Sequence, residues 1–354
     1  MLAMIAGLVT PPIILASALN LDDQLQSYLI SASLIVSGIL SAVQMSRFQL
    51  FNSKYFIGTG MLTVVGTSFA VIPVATAMFD QMYANGTCVT NADGTKAACP
   101  DAYGALIGTS MVCAFFEILL SFLPARVLRK TFPPMVTGVV VFFIGASLVQ
   151  SGFEDWGGSS AGCHDRPSSG YFSLCPNVGA PNAATWGSPQ FIGLGFLVYI
   201  SIILVEYMGS PAMRNASVVI GLLIGMIVAG PTGYVSGSSI TSAPVVTFVW
   251  VHTFKLSVYG PAVIPFLAAY LILMMEAIGD ITATSDVSKL EVEGEFFDSR
   301  VQGGVLADGI SGFLSALGTM TPMSIFAQNN GLDLGRMRNC VFHTDRFFLR
   351  VIDF

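Results

Sequence analysis

Three acidic side chains lie inside apolar runs of this chain, where an ionised group is expensive. The stretch LILMMEAIGDITAT holds Glu276 and Asp280, and VLADGISGF holds Asp308. Such groups cost several kcal/mol within a membrane unless they are paired or wetted, so they are functional candidates by default. The spacing of four residues puts Glu276 and Asp280 on one face of a helix. No base lies in either run to neutralise them in place. Their available fates are protonation, hydrogen bonds to small polar neighbours, or binding of a substrate or ion. A buried carboxylate can change charge near neutral pH, which is the chemistry a proton-coupled transporter needs. Glu117 and Glu206 read differently, as local ion-pair partners of bases near the ends of their segments.

Close to the end of the chain, SIFAQNNG sets three amides in a row, Gln328, Asn329 and Asn330. An amide offers one acceptor and two donors in a plane, whereas a carboxylate only accepts. Glu276 with Gln328 can therefore grip a flat molecule that presents N–H and C=O groups along one edge. Phe69 or Phe326 can face its rings. The same amides can equally bond helix ends across a bundle, and residue types alone do not separate the two readings. An enzyme is not indicated: no nucleophile–base pair is present, and His164 and His252 are isolated in loops.

These side chains need elements to hold them, and the composition says where those elements lie. The chain is 53% hydrophobic and only 10% charged, against about 25% charged in a soluble domain. Most of it is solvated by lipid. Its 21 acids and 15 bases give a net charge of −6, and no basic stripe suggests nucleic acid. No cleavable leader is expected at the N-terminus. Runs near the spanning length of about 20 residues fall at 2–19, 27–45, 55–79, 102–124, 133–152, 190–209, 217–236, 261–284 and 302–322. That makes an all-α polytopic membrane protein of about nine spanning helices, with a tenth begun near Met323.

Arg47, Lys54, Arg126, Arg129, Lys130, Arg214, Lys289 and Arg300 follow even-numbered segments, against Lys96, Arg166 and Lys255 on the other side. The positive-inside rule then places the even-numbered exits in the cytoplasm. The opposite loops carry Cys88 with Cys99 and Cys163 with Cys175, one pair per loop, suited to disulfides in an oxidising compartment. Asn85-Gly86-Thr87 on that face is a glycosylation triplet, and Cys113 is expected to pack within its segment.

The third segment is interrupted by Gly66, Thr67, Ser68 and Pro73 in VVGTSFAVIPVA, which predicts local unwinding. LGTMTPMSIFAQNNG echoes it, with Gly318-Thr319, Pro322 and Phe326-Ala327. Two broken segments in corresponding positions point to a midplane site in an inverted-repeat transporter. Pro11-Pro12 suggests that the first segment is broken or kinked too.

The segments AMIAGLVTPPIIL, GTGMLTVVGTSFAVIP, EAIGDITATSDVSKLEVEG, ADGISGFLSALG and FAQNNG together resemble the nucleobase–ascorbate transporters, specifically the fungal uric acid–xanthine permeases, over residues 2–331. The resemblance implies an inverted seven-helix-repeat fold in which a core domain moves against a gate domain. Here the core would be residues 1–124 (helices 1–4) and 261–331 (helices 8–9 and the start of 10), and the gate 125–260 (helices 5–7 with extracellular loops). It further implies proton-coupled uptake of uric acid and xanthine across the plasma membrane by an elevator-like movement, with the full-length protein a homodimer. Substrate would be held by Glu276 and Gln328 and by backbone groups at Phe69 and Ala327. Asn329 matches a position tied to function and selectivity, Ala283 lines the same site, and Asp280 and Asp308 match acidic positions needed for transport. No metal or organic cofactor is expected.

The chain departs from that pattern at both ends. The family signature beginning at Gln328-Asn329-Asn330-Gly331 calls for Thr where this chain has Arg336. Residues 332–354 form an atypical polar tail with four arginines and three aspartates, unsuited to spanning. The Gln-His that the family carries just before the first segment is absent. The expectation is therefore an incomplete and inactive fragment of a permease. The rival readings are a non-transporting subunit that regulates a full-length permease, or an anion transporter of related fold.

Overall fold

The computed structural model describes residues 2–50, 53–91, 96–123, 134–158, 174–175, 182–214, 216–234 and 247–326. Ala327, Gln328, Asn329, Cys163 and the 332–354 tail lie outside the described residues. Among the described residues the α-helices are α1 (Leu2–Ala18), α2 (Asp23–Met45), α3 (Ile72–Ala84), α4 (Pro100–Ser121), α5 (Pro134–Trp156), α6 (Pro189–Met208), the single turn α7 (Pro211–Arg214), α8 (Ser217–Ala229), α9 (Val263–Val287) and α10 (Glu295–Leu317). Three two-stranded antiparallel pairs join them: β1 (Phe48–Gln49) with β2 (Phe56–Ile57), β3 (Val65–Thr67) with β6 (Met323–Ile325), and β4 (Leu174–Cys175) with β5 (Ala184–Thr185).

Four stretches, Gln24–Met45, Pro100–Ser121, Pro189–Met208 and Gly260–Val287, are long and apolar enough to cross a bilayer. By length and composition these four suit a chain that crosses a membrane more than once. Other expected segments take different forms for local reasons. Gly7–Ala18 and Ser217–Ala229 are shorter apolar helices. Helix α10 carries Glu295, Asp298, Arg300 and Asp308 along its length.

Two expectations change. The run 55–79 is not one interrupted helix: residues 56–71 hold β2, β3 and a 3₁₀ turn at Phe69–Val71, and the helix starts only at Ile72. Pro73 thus falls in the first turn of α3, where a missing N–H has no partner to lose. Helix α1, in contrast, runs unbroken through Pro11 and Pro12.

By backbone contacts the chain divides into two compact units, with division points inside α2, α4 and α5. The first takes residues up to 33, 72–106 and 143–256. Within it α6 and α8 pack closely because α8 presents glycine: a Cβ on Gly221 would lie 2.5 Å from Ile202 Cγ1, and one on Gly225 2.5 Å from Val198 Cγ2. Small residues spaced by four let helices approach in lipid, where the hydrophobic effect does not drive them together. Phe196, Tyr199, Leu204 and Tyr207 on α6 remain exposed, as a lipid-facing surface requires. In the same unit Cys88 and Cys99 form a disulfide, with Cα atoms 5.7 Å apart. Cys175 is also disulfide-bonded.

The second unit comprises 34–71, 107–142 and the chain from 257. Its apolar centre joins Met61, Met274, Ala277, Ile278, Ile281, Phe297, Val301, Val305 and Ile325, so α9, α10 and β6 share one core. Gly303 and Gly304 on α10 leave room for the backbone at Gly58 and for Ile281 and Thr59.

Candidate functional site

Extended backbone inside a membrane protein survives only where every N–H and C=O is satisfied by protein. The β3–β6 pair meets that demand. Val65 stands opposite Ile325, Gly66 opposite Ser324 and Thr67 opposite Met323. The ladder continues beyond the strands, with Ser68 N–H donating to Pro322 O (3.0 Å) and Phe326 N–H to Val64 O (2.9 Å). Two serines of α2 serve the strand's outer edge: Ser41 Oγ accepts from Val65 N–H at 2.9 Å, and Ser37 Oγ donates to Val65 O. Ser68 Oγ accepts from Ala70 N–H at 3.2 Å, at the turn that leads into α3.

Asp308 of α10 holds the other strand. Its Oδ2 accepts from Ser324 Oγ at 2.9 Å and its Oδ1 from Ile325 N–H at 3.0 Å, and the side chain is 1% exposed. Both oxygens are thus used to fix the start of the last described segment. This is why a carboxylate stands in an apolar helix: β6 needs an acceptor where no neighbouring strand supplies one.

Pairing β3 with β6 carries Phe69 and Phe326 to the same place. Their rings stack with centroids 6.4 Å apart and an interplanar angle of 29°. Helix α9 packs against both the Phe69–Val71 turn and β6. On α9, Glu276, Asp280 and Ala283 are partly buried while Leu273, Ala277, Ile281 and Thr284 are buried, so the three share the less covered face. Glu276 interacts electrostatically with Asp280 and with Asp308, and Asp280 with Asp308. Six of the residues named from sequence therefore belong to one unit. Phe69 pairs with Phe326 across 6.4 Å, and Asp308 is hydrogen-bonded to β6. Ala327, Gln328 and Asn329 follow immediately, outside the described residues.

Sequence reasoning placed some residues wrongly and missed others. Gly66-Thr67 lies in β3, whereas Gly318-Thr319 forms the turn that ends α10, so the two Gly-Thr pairs are not equivalent. The equivalence runs instead between the residues that pair across the strands. Among the described residues Glu117 has no ion-pair partner; the bases expected to meet it, Arg126, Arg129 and Lys130, lie outside them. Glu117 is 1% exposed and interacts with the Asp308 carboxyl, because Gly309 lets α4 approach α10 closely. Glu206 is exposed and accepts from Ser217 Oγ at 2.9 Å. Lys96 and Asp80 form an ion pair at 2.8 Å. Cys113 is a buried free thiol, as expected. Ser324 was missed as a site residue, although it opens the same stretch as the three amides.

The model of the Permease family matches residues 1–341. The chain is 56% identical over 331 residues to a uric acid-xanthine permease of Emericella nidulans, covering 94% of this chain and 57% of that protein. It is 51% identical to a putative purine permease of Schizosaccharomyces pombe, covering 100% of this chain and 59% of that protein. To the xanthine permease XanQ of Escherichia coli it is 34% identical over 336 residues, 94% of this chain and 64% of that protein. The chain thus spans less than two thirds of the length of these relatives. Their names describe transporters, not enzymes, and the chain belongs to their family, the nucleobase–ascorbate transporter permeases.

Proposed function

We propose that this chain carries the purine site of a permease that takes up uric acid and xanthine, in symport with protons, across the plasma membrane. The observation that supports the reading is the Phe69–Phe326 ring pair, which lies on the two elements against which α9, the helix of Glu276, packs. A planar ring inserted between two others needs a centroid separation of about 7 Å, twice the carbon contact distance. The observed 6.4 Å is within reach of that by a small outward shift. Glu276, on the partly buried face of α9, supplies an acceptor for purine N–H groups, and Gln328 follows Phe326 in sequence with mixed donors and acceptors. Ala327 offers backbone groups, Asn329 adjoins them, and Ala283 keeps the face of α9 open.

Asp280 and Asp308 serve as proton-linked or supporting carboxylates of the same site. The names of the relatives support the substrate class, since they transport uric acid, xanthine or purines by description. In this reading residues 1–124 and 261–331 form a core domain that carries the site. Residues 125–260 form part of the gate against which it moves, in an inverted seven-helix-repeat, elevator-type, homodimeric assembly.

The test is saturable binding of radiolabelled xanthine to the purified chain in lipid nanodiscs, compared with Glu276→Ala, which removes the acceptor. Loss of a hydrogen bond to a charged group corresponds to about 1.5–3 kcal/mol, so the affinity of the variant should fall about 10- to 150-fold. Equal binding by both proteins, or displacement of xanthine by inorganic sulfate, would refute the reading.

A further inference from the structure

Glu117 is the buried carboxyl that the purine site leaves unused. It projects from α4, is 1% exposed, and neither of its oxygens makes a hydrogen bond of standard geometry. Its carboxyl nevertheless faces that of Asp308 and interacts with it. The approach is built into α10: a Cβ on Gly309 would lie 3.3 Å from Glu117 Cγ and 3.0 Å from the backbone nitrogen of Ile118. One turn along α10, Gly312 makes the same kind of room for Tyr270 of α9, whose hydroxyl oxygen would sit 3.1 Å from a Cβ there. That hydroxyl is also buried and interacts with Glu117 and with Ser110 of α4. Among the described residues no lysine or arginine forms an ion pair with either carboxyl.

Two ionised carboxylates in contact and away from water do not coexist; such a pair keeps one proton. Asp308 already accepts on both oxygens, from Ser324 and from Ile325. The proton therefore belongs on the partner. We propose that Glu117 holds the single proton of a Glu117–Asp308 pair, directs its O–H at Asp308, and is the positioning residue that keeps Asp308 clamped on β6. Loss of that proton to water breaks the Glu117 O–H bond and leaves two adjacent negative charges and no donor. The clamp on Ser324 and Ile325 then loosens, and with it the placement of Phe326. The purine-site reading enters only in making β6 part of a substrate site. The groups facing the pair are Tyr270, Glu276 and Asp280 from α9, with Cys113 of α4 beside Tyr270.

The test compares wild type with Glu117→Gln and Glu117→Ala in nanodiscs, by infrared spectroscopy and by amide hydrogen exchange of the peptide covering 323–326. Wild type should show the C=O stretch of a protonated carboxylic acid that Glu117→Gln lacks. On raising the pH, wild-type exchange in 323–326 should increase at least about tenfold beyond its intrinsic pH dependence. Glu117→Gln keeps a donor at every pH, so its exchange should show no such extra rise. Glu117→Ala should exchange fast throughout. No wild-type acid band assignable to Glu117, or the same alkaline rise in Glu117→Gln, would overturn the proposal. Should the variants fail to fold, wild type alone decides, since no extra alkaline rise would also overturn it. None of these readouts requires purine, so they judge the pair separately from xanthine binding.

Discussion

Replacing Asp308 by alanine should release β6 while leaving α10 in place. The carboxylate accepts from Ile325 N–H at 3.0 Å and from Ser324 Oγ at 2.9 Å. Hydrogen bonds to charged groups contribute about 1.5–3 kcal/mol each. Removing the acceptor of the Ile325 amide should therefore raise its exchange by about 10- to 150-fold. Asparagine is the informative control. Its carbonyl can still accept from Ile325, and its NH₂ can donate to the Ser324 oxygen, which accepts as readily as it donates. Exchange in Asp308→Asn should therefore stay within about tenfold of wild type. The assay is hydrogen exchange of the 323–326 peptide, with a peptide from α6 as internal reference. If Asp308→Ala exchanges like wild type, or Asp308→Asn like Asp308→Ala, the carboxylate does not hold the strand.

Valine at Gly309 would press on the Ile118 backbone at 3.0 Å. The α4–α10 contact should then lose about 1–3 kcal/mol, read as a lower temperature midpoint of unfolding in detergent; an unchanged midpoint would contradict the close approach. The Cys88–Cys99 disulfide closes a loop of 11 residues' separation, which corresponds to about 3 kcal/mol of loop-closure stabilisation. Cys88→Ser with Cys99→Ser should lower denaturant resistance by about that amount. Phe326→Ala removes an aromatic contact of about 0.5–1.5 kcal/mol and should weaken xanthine binding about 2- to 10-fold. Unchanged affinity would take the ring out of the site.

The acidic residues and the stretch around Phe326 stood out in the sequence because each violates the rule of its surroundings: a charge or an amide run where lipid-facing residues are expected. The membrane class and the family were legible for the same reason, from composition and from several matching segments. The β3–β6 pair was not. Residues 55–71 are apolar enough to read as helix, and the partner strand is distant in sequence, Val65 pairing with Ile325, a separation no local pattern encodes. Sequence places Glu117 near bases, whereas packing over Gly309 turns it inward. Glycine is the signal that could have shown this: Gly309 and Gly312 flank the turn after Asp308, and close helix approach in lipid uses such spacing. Pro73 misled in the opposite way, since a proline that breaks a helix interior is harmless in its first turn.

The central claim is that purine sits where the two broken segments meet. Amide exchange of the purified chain with and without xanthine tests it directly. Xanthine should slow exchange in the peptides covering 65–72 and 323–326 together, while inorganic sulfate leaves both unchanged. Saturable xanthine binding that protects neither peptide, or protection confined to a region outside α9, β3 and β6, would contradict it.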